Sequence, residues 1–342
     1  MDGPEIDGAR ALREFVVGEP EHYSRVYLVD ADGPGGAVLD AAGPKDAVLL
    51  PVAAPASNSA AAIFRYDGQL EEPGDEMFLG GCTVELHDYI AAAFVQLVGP
   101  SVVAIVDDQG WLALLDDVGI ARRTGVFPSA LLDPRVILAN RAAIERPDEM
   151  QVPNAIRVRT DGALRVGMRG EVCGHLSTTT DLAAAAPRLA ALRSSPSADE
   201  WRAEHPERGW LTRCLRATDL LKMLRGESGT VSISGFGWAL VDDDRADAEP
   251  SPFHPFLVRT PQGFLLADVA TRRRVSLSPL TAAVVEVSQT SSSEELAVER
   301  LVRRLAVTAS DARRLRSEAM AAFRIHSDGA CDETPAEMTV HP

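Results

Sequence analysis

Two hydrophobic periodicities divide this 342-residue chain. Up to about residue 200, short runs rich in Val, Leu and Ile predict strands at 25–29, 47–52, 62–66, 102–106, 111–115, 136–138, 155–159 and 164–166. Several are continuously apolar, the pattern of strands covered on both faces. Helical spacing predicts helices at 84–98 and 181–193, the second opened by Thr178-Thr179-Thr180-Asp181 as a cap. This is a mixed α/β body spanning 1–195. Pro196 among serines, and the charged stretch 199–208, read as a linker. Residues 196–252 then carry a helix at 211–224, a hairpin-like alternation at 230–241 with Gly235 and Gly237, and a second linker at 242–252. That linker holds five acidic residues and two prolines. No internal repeat is present, and 326–342 reads as a polar, disordered tail.

The stretch 253–325 divides more cleanly. Residues 256–259 and 264–269 predict strands joined by a Pro261-Gln262-Gly263 turn. A third strand follows, with Val275 and Leu277 on one face and Arg274, Ser276 and Ser278 on the other. Ser278 caps a helix with Pro279 at its first position and a buried stripe of Leu280, Ala283, Val284 and Val287. Ser293 opens a second helix, with Val298, Leu301, Val302 and Leu305 inward and Arg300, Arg303 and Arg304 on the other side. Ser310-Asp311 opens a third, with Ala312, Leu315, Ala319 and Phe323 inward and Arg313, Arg316, Met320 and Arg324 on a separate stripe. The expected fold class is therefore α+β, a mixed body followed by a winged-helix module of three strands and three helices.

Charge sharpens the division. Residues 253–325 hold 11 arginines against 7 acids, a surplus of +4 in a chain of net charge −16, which leaves −20 for the rest. A basic module on an acidic body favours an anionic or acidic partner for the module. The four cysteines, Cys82, Cys173, Cys214 and Cys331, lack paired spacing, as expected of reduced thiols. The acidic start without an apolar run behind it is no signal peptide, and the apolar stretch 89–106 is broken by Gln96 and Gly99-Pro100. A cytoplasmic protein with no membrane partner is expected.

On these residues the C-terminal module resembles the PqqD-like peptide-recognition domain, the RiPP recognition element. The matching segments are the hairpin 255–270, the strand Arg274-Val275-Ser276-Leu277-Ser278 running into the helix 279–287, the amphipathic 294–305 and the closing 310–325. The family follows its first helix with an Asp-Gly turn; here the chain has Ser288-Gln289-Thr290-Ser291-Ser292. The resemblance implies that the leader segment of a ribosomally made precursor peptide adds as a strand to the open edge of the sheet and packs against the last helix. It places the edge at Arg274, Val275, Ser276, Leu277 and Ser278, and the groove wall at Arg313, Leu315, Arg316, Met320 and Arg324, with arginines available to leader carboxylates. A long, motif-poor acidic body with a terminal recognition element is also similar to the stand-alone recognition proteins of daptide-type clusters. That resemblance implies that separate modifying enzymes of the pathway perform the chemistry and are further partners.

Catalytic signatures are sparse. There is no phosphate-binding glycine loop, no Gly-x-Ser-x-Gly elbow and no His-Glu-x-x-His pair. Cys173-Gly174-His175, with Cys82 or His87 as a third ligand, is the best metal candidate, but two ligands make a poor site, so neither metal nor cofactor is expected. Three functions follow in order: a non-catalytic adaptor presenting a precursor peptide to modifying enzymes, a winged-helix DNA-binding regulator, and a peptide-modifying enzyme with a fused recognition domain. The −20 body opposes phosphate contacts, and aromatics at 5% do not interleave with the basic residues, so nucleic acid is not the expected partner.

Overall fold

The computed structural model describes residues 3–55, 58–147, 149–178, 186–192, 208–225 and 230–323. The fold is mixed α+β and divides into two compact units, residues 1–121 with 127–218, and residues 122–126 with 219–342.

The first unit is built in the order α1 (Gly3–Val17), β1 (Val26–Val29), α2 (Gly35–Ala41), β2 (Ala47–Pro51), β3 (Ala62–Gly68), β4 (Glu76–Leu79), β5 (Cys82–Asp88), α3 (Tyr89–Ala92), β6 (Ser101–Ala104), α4 (Asp108–Thr124), α5 (Ser129–Leu132), β7 (Val136–Leu138) and α6 (Arg141–Glu145). There follow β8 (Met150–Gln151), β9 (Ala155–Val158), β10 (Ala163–Val166), β11 (Val172–His175), β12 (Ala186–Pro187), a 3-10 turn Arg188–Ala191 and α7 (Arg208–Met223), with residues 122–124 of α4 and 219–223 of α7 belonging to the second unit. Ten strands form one sheet in the order β11-β10-β9-β1-β2-β3-β4-β5-β6-β7. Strands β9, β1, β2 and β3 run parallel, as do β5, β6 and β7, and β4 joins the two sets antiparallel. One helix organises one face. Ala11, Leu12, Phe15 and Val16 of α1, spaced as a single helical stripe, pack with Val26, Leu49, Leu86, Val102 and Ala155 from five strands. On the opposite face Val38 and Leu39 of α2 pack on Tyr27, Val29, Val48, Leu50 and Ile156. Central strands are thus buried on both sides, which is why their sequences are continuously apolar.

Several expected elements take another form. Helix 84–98 is instead β5, where Val84 and Leu86 alternate inward, followed by the short α3 that Asp88 caps through Ile90 and Ala91 N–H. Pairing with β4 and β6 overrides the helical reading of that run. The strand expected at 111–115 lies inside α4, because Asp107 accepts the Gly110 N–H and Trp111, Leu114, Val118 and Ala121 recur at helical spacing on its buried side. Within the helix expected at 181–193, Ala186–Pro187 pairs with β8 and Arg188–Ala191 is a 3-10 turn, while 181–185 and 193 lie outside the described residues. The linker read at 194–208 lies outside them too except for Arg208, which begins α7, and so does the tail 326–342.

The second unit contains β13 (Ser232–Ile233), β14 (Phe256–Thr260), β15 (Gly263–Asp268), β16 (Arg273–Leu277), α8 (Pro279–Gln289), α9 (Glu294–Leu305) and α10 (Ala309–Phe323). The antiparallel order is β13-β14-β15-β16. Ser278 caps α8 and Ser293 caps α9, while α10 opens at Ala309 with the Thr308 hydroxyl accepting the Asp311 N–H, two residues ahead of the expected Ser310 cap. Helix α8 is buried nearly all round, from Ala282 to Gln289, but Leu280 of the expected inward stripe is 48% exposed.

The alternation at 230–241 does not make a hairpin. Only β13 pairs, with β14, and the chain then turns through Gly235 and Gly237, both at positive φ, where Gly237 has Thr124 backbone too close for a Cβ. The acidic stretch beyond is no free linker, since its polar groups are consumed by the helices. Buried Glu286 accepts from Ser234 Oγ and from the Leu240 and Val241 N–H groups. Asp243 accepts from Arg300 Nε (3.0 Å) and Arg303 Nη2 (2.6 Å); Arg245 pairs with Glu299, and Asp247 accepts the Ser292 N–H at 2.8 Å. Arg300, expected on the solvent side of α9, is 1% exposed. Its Nη1 donates to Val287 O, Thr290 O, Thr290 Oγ1 and Ser291 Oγ, satisfying carbonyls that the end of α8 leaves unpaired.

Burial acts to raise the Asp243 carboxyl, but the Arg245 N–H and the guanidinium groups of Arg300 and Arg303 outweigh it and hold it down at about 2. Because the folded value lies below the ordinary 3.8, this stabilisation is complete above the ordinary value and is lost as pH falls through about 2. Thermal melts from about pH 5 to about pH 2 should therefore show the Asp243→Asn variant less stable at the upper end, with the difference from wild type closing toward the lower. Arg300→Ala should cost about 3 kcal/mol by denaturant unfolding, because it removes the buried guanidinium that joins Asp243 to the end of α8 and leaves its site empty in the core.

Candidate functional site

The second unit ends its sheet on β16, which pairs with β15 on one side and with no strand on the other among the described residues. The hairpin is held at its tip by Asp268, whose carboxylate accepts the Ala270 N–H at 2.9 Å and the Thr271 hydroxyl at 2.7 Å, with Arg272 at positive φ. Residues 273–276 are exposed and Leu277 is half-buried. An exposed edge presents backbone N–H and C=O groups to any extended chain that approaches it.

Register assigns the faces. Leu257, Leu266 and Val275 lie opposite one another across the three strands, and Leu266 belongs to the core shared with α8, α9 and α10. Val275 and Leu277 therefore point to the helical side, as their spacing predicts. On that side Leu277, Leu315, Met320 and Phe323 are half-covered members of one cluster, while Val275 is 39% and Leu280 48% exposed. Met320 joins the core cluster rather than lying on a separate polar stripe. The open edge thus carries two incompletely covered apolar side chains of its own, Val275 and Leu277.

The arginines fall into two groups. Arg274, on the opposite face with Ser276, donates from Nη2 to Met223 O at 3.1 Å. Arg316 is only 15% exposed and its Nη1 meets Glu294 Oε2 at 3.1 Å, which ties α10 to α9 instead of facing outward. Arg314 pairs with Glu318 along α10, and Arg259 stacks over the Trp238 ring at 4.7 Å. Arg272, Arg273, Arg304 and Arg313 are exposed and have no ion pair among the described residues. Ser278 is engaged as the cap of α8, and Arg324 lies outside the described residues. Arg272 and Arg273 are features beside the edge that strand alternation missed, the Arg272-Arg273-Arg274 run at a turn being the available signal, and Leu280, expected inside, is exposed at the start of α8.

The proposed metal ligands are far apart in the sheet. Cys173 and His175 lie on β11, where Cys173 Sγ contacts Leu164 O and His175 Nε2 contacts Asp161 O, whereas Cys82 and His87 lie on β5, with six strands between in the hydrogen-bonded order. Burial raises the Cys173 thiol, which disfavours the thiolate a metal needs. No helix among the described residues is long and apolar enough to cross a membrane. No family model, curated protein or solved structure matches the chain.

The Arg316–Glu294 contact yields a direct test of how α10 is held. Arg316→Glu should lower stability by about 1 kcal/mol through a like-charge contact, and the double exchange Glu294→Arg with Arg316→Glu should recover most of it in denaturant unfolding.

Proposed function

We propose that this protein is a non-catalytic recognition protein that binds the leader segment of a ribosomally made precursor peptide by strand addition and presents it to separate modifying enzymes. The observation that carries this reading is the free side of β16, whose helical face carries Val275 at 39% exposure and the half-buried Leu277; Leu280, Leu315 and Met320 are the proposed continuation of that apolar row. An incoming strand gains register from backbone hydrogen bonds along 273–277, and its alternate side chains cover the apolar row. The order of three strands then three helices supports the likeness to a PqqD-like winged-helix recognition element. Within such a setting, daptide-type clusters included, the protein contributes affinity and proximity, which raises effective concentration without a catalytic group of its own.

The internal pairing of Arg300, Arg303, Arg314 and Arg316 refines the electrostatics. Four exposed arginines, Arg272, Arg273, Arg304 and Arg313, remain to attract acidic residues of a leader. A surplus that small suits short-range steering of a peptide better than the dense phosphate neutralisation that duplex binding needs.

Fluorescence polarisation of labelled leader peptides from small reading frames beside the gene, titrated with the full chain, tests the reading. Saturable binding should weaken at least about tenfold in Val275→Asp, which places a charge in the apolar row, with the melting temperature unchanged. Absence of binding to these leaders, with salt-sensitive retention on duplex DNA, would overturn it in favour of a regulator. Turnover of a precursor by the protein alone would make it an enzyme.

A further inference from the structure

The first unit contains a cleft of about 340 Å³ where β6 and β7 end. These adjacent parallel strands lead into α4 and α6, and in open α/β sheets the space beyond the carboxyl ends of parallel strands is where ligands bind. The volume falls in the range of small-molecule sites. Its walls combine three features that the recognition module does not use.

The first is a carboxylate. Asp107 spends Oδ1 on the Gly110 N–H at 2.9 Å, capping α4, and has no cationic partner among the described residues. The second is a guanidinium. Arg169 donates to Glu71 O at 2.9 Å and to Glu72 at 3.2 Å, but Glu72 is 64% exposed, so that ion pair is screened by water and leaves Arg169 able to take a second anion. The turn presenting Met168 and Arg169 is closed at both ends by glycine: Gly167 has positive φ, and a Cβ on Gly170 would stand 2.2 Å from Val166 O. The third is Asn140, 8% exposed and left-handed at φ 52, whose side-chain oxygen has no hydrogen-bond partner although its amide nitrogen bonds to Ala191 O at 3.0 Å. That oxygen is closed to solvent and faces Gly167, where a Cβ would stand 2.5 Å from it, so Asn140 shapes the cleft wall and takes no ligand group. The remaining surface is apolar, from Trp111, Ile144 and Met168.

From this juxtaposition of Asp107 and Arg169 around an apolar cleft we infer that the first unit binds a small zwitterion, an α-amino acid with an apolar side chain. The ammonium group pairs with Asp107, the carboxylate takes the planar fork of Arg169, and the side chain lies against Trp111, Ile144 and Met168. No bond is made or broken. The site is independent of peptide capture at β16, so either can fail alone.

Isothermal titration of the full chain with L-leucine, L-methionine and L-phenylalanine is the test, alongside 3-methylbutylamine and 4-methylpentanoate, which keep the leucine-like side chain and one charge each. The expected result is saturable binding of at least one amino acid, with the single-charge analogues at least about tenfold weaker. Asp107→Asn, which retains the cap, and Arg169→Gln should each weaken binding at least about tenfold, with melting curves showing both variants folded. No saturable heat with any of the three amino acids overturns the inference. So does a single-charge analogue binding as tightly as its amino acid, or affinity unchanged in the folded variants.

Discussion

The guanidinium of Arg300 closes the C-terminal end of α8 and captures Asp243 in the same set of hydrogen bonds, and the second unit is organised around it. A charge at 1% exposure survives only when its donors are used, and here they are divided between backbone carbonyls, two hydroxyls and one carboxylate. Glu286, one turn earlier on α8, mirrors it with opposite charge by accepting two backbone N–H groups from the segment that follows β13. Between them, an acid and a base on neighbouring helices fasten the stretch 234–247 to the helical layer. The C-terminal module therefore begins near β13 rather than at β14.

This anchoring bears on function through rigidity. The two-residue β13 covers part of β14 and forms one edge of the sheet, and the five-residue β16 forms the longer edge on the other side. Under the proposed strand addition, a peptide would meet backbone already held by the Asp268 turn and by the Ser278 cap, so that little ordering would be left to be done on binding. Of the arginines that marked the module in the sequence, Arg300, Arg303, Arg314 and Arg316 are paired with acids of the same unit. What remains for a partner is an edge, an apolar border and a few exposed cations.

Legibility in the sequence followed how local the determining physics was. The β14–β15 hairpin, β16 and the three helices that follow were readable because caps, turn residues and stripes lie within a few positions of one another, as at Ser278-Pro279 and Pro261-Gln262-Gly263. Helix α1 was missed: its stripe of Ala11, Leu12, Phe15 and Val16 is short, and its partners are strands distant in sequence. The run 84–98 reads as helical until β4 and β6 flank it. Arg300 looked solvent-facing because an arginine among arginines on α9 carries no mark of its partner 57 positions away, and the aspartates at 242–244 look like a linker for the same reason. Edge residues such as Val275 were legible as to face, whereas the engagement of Arg274 by Met223 O and of Arg316 by Glu294 was not.

The most direct measurement is residue-resolved hydrogen exchange on the full chain, read at the amides of Leu240, Val241, Arg245 and Asp247. These donate to Glu286, Glu286, Asp243 and Thr290 O respectively. If the segment is fastened as described, its amides should exchange within about tenfold of the rates in α8, because they open only when that layer opens. Exchange at the rate of unstructured peptide, with α8 still protected, would show that the stretch is a free linker and that the buried charges do not define the module.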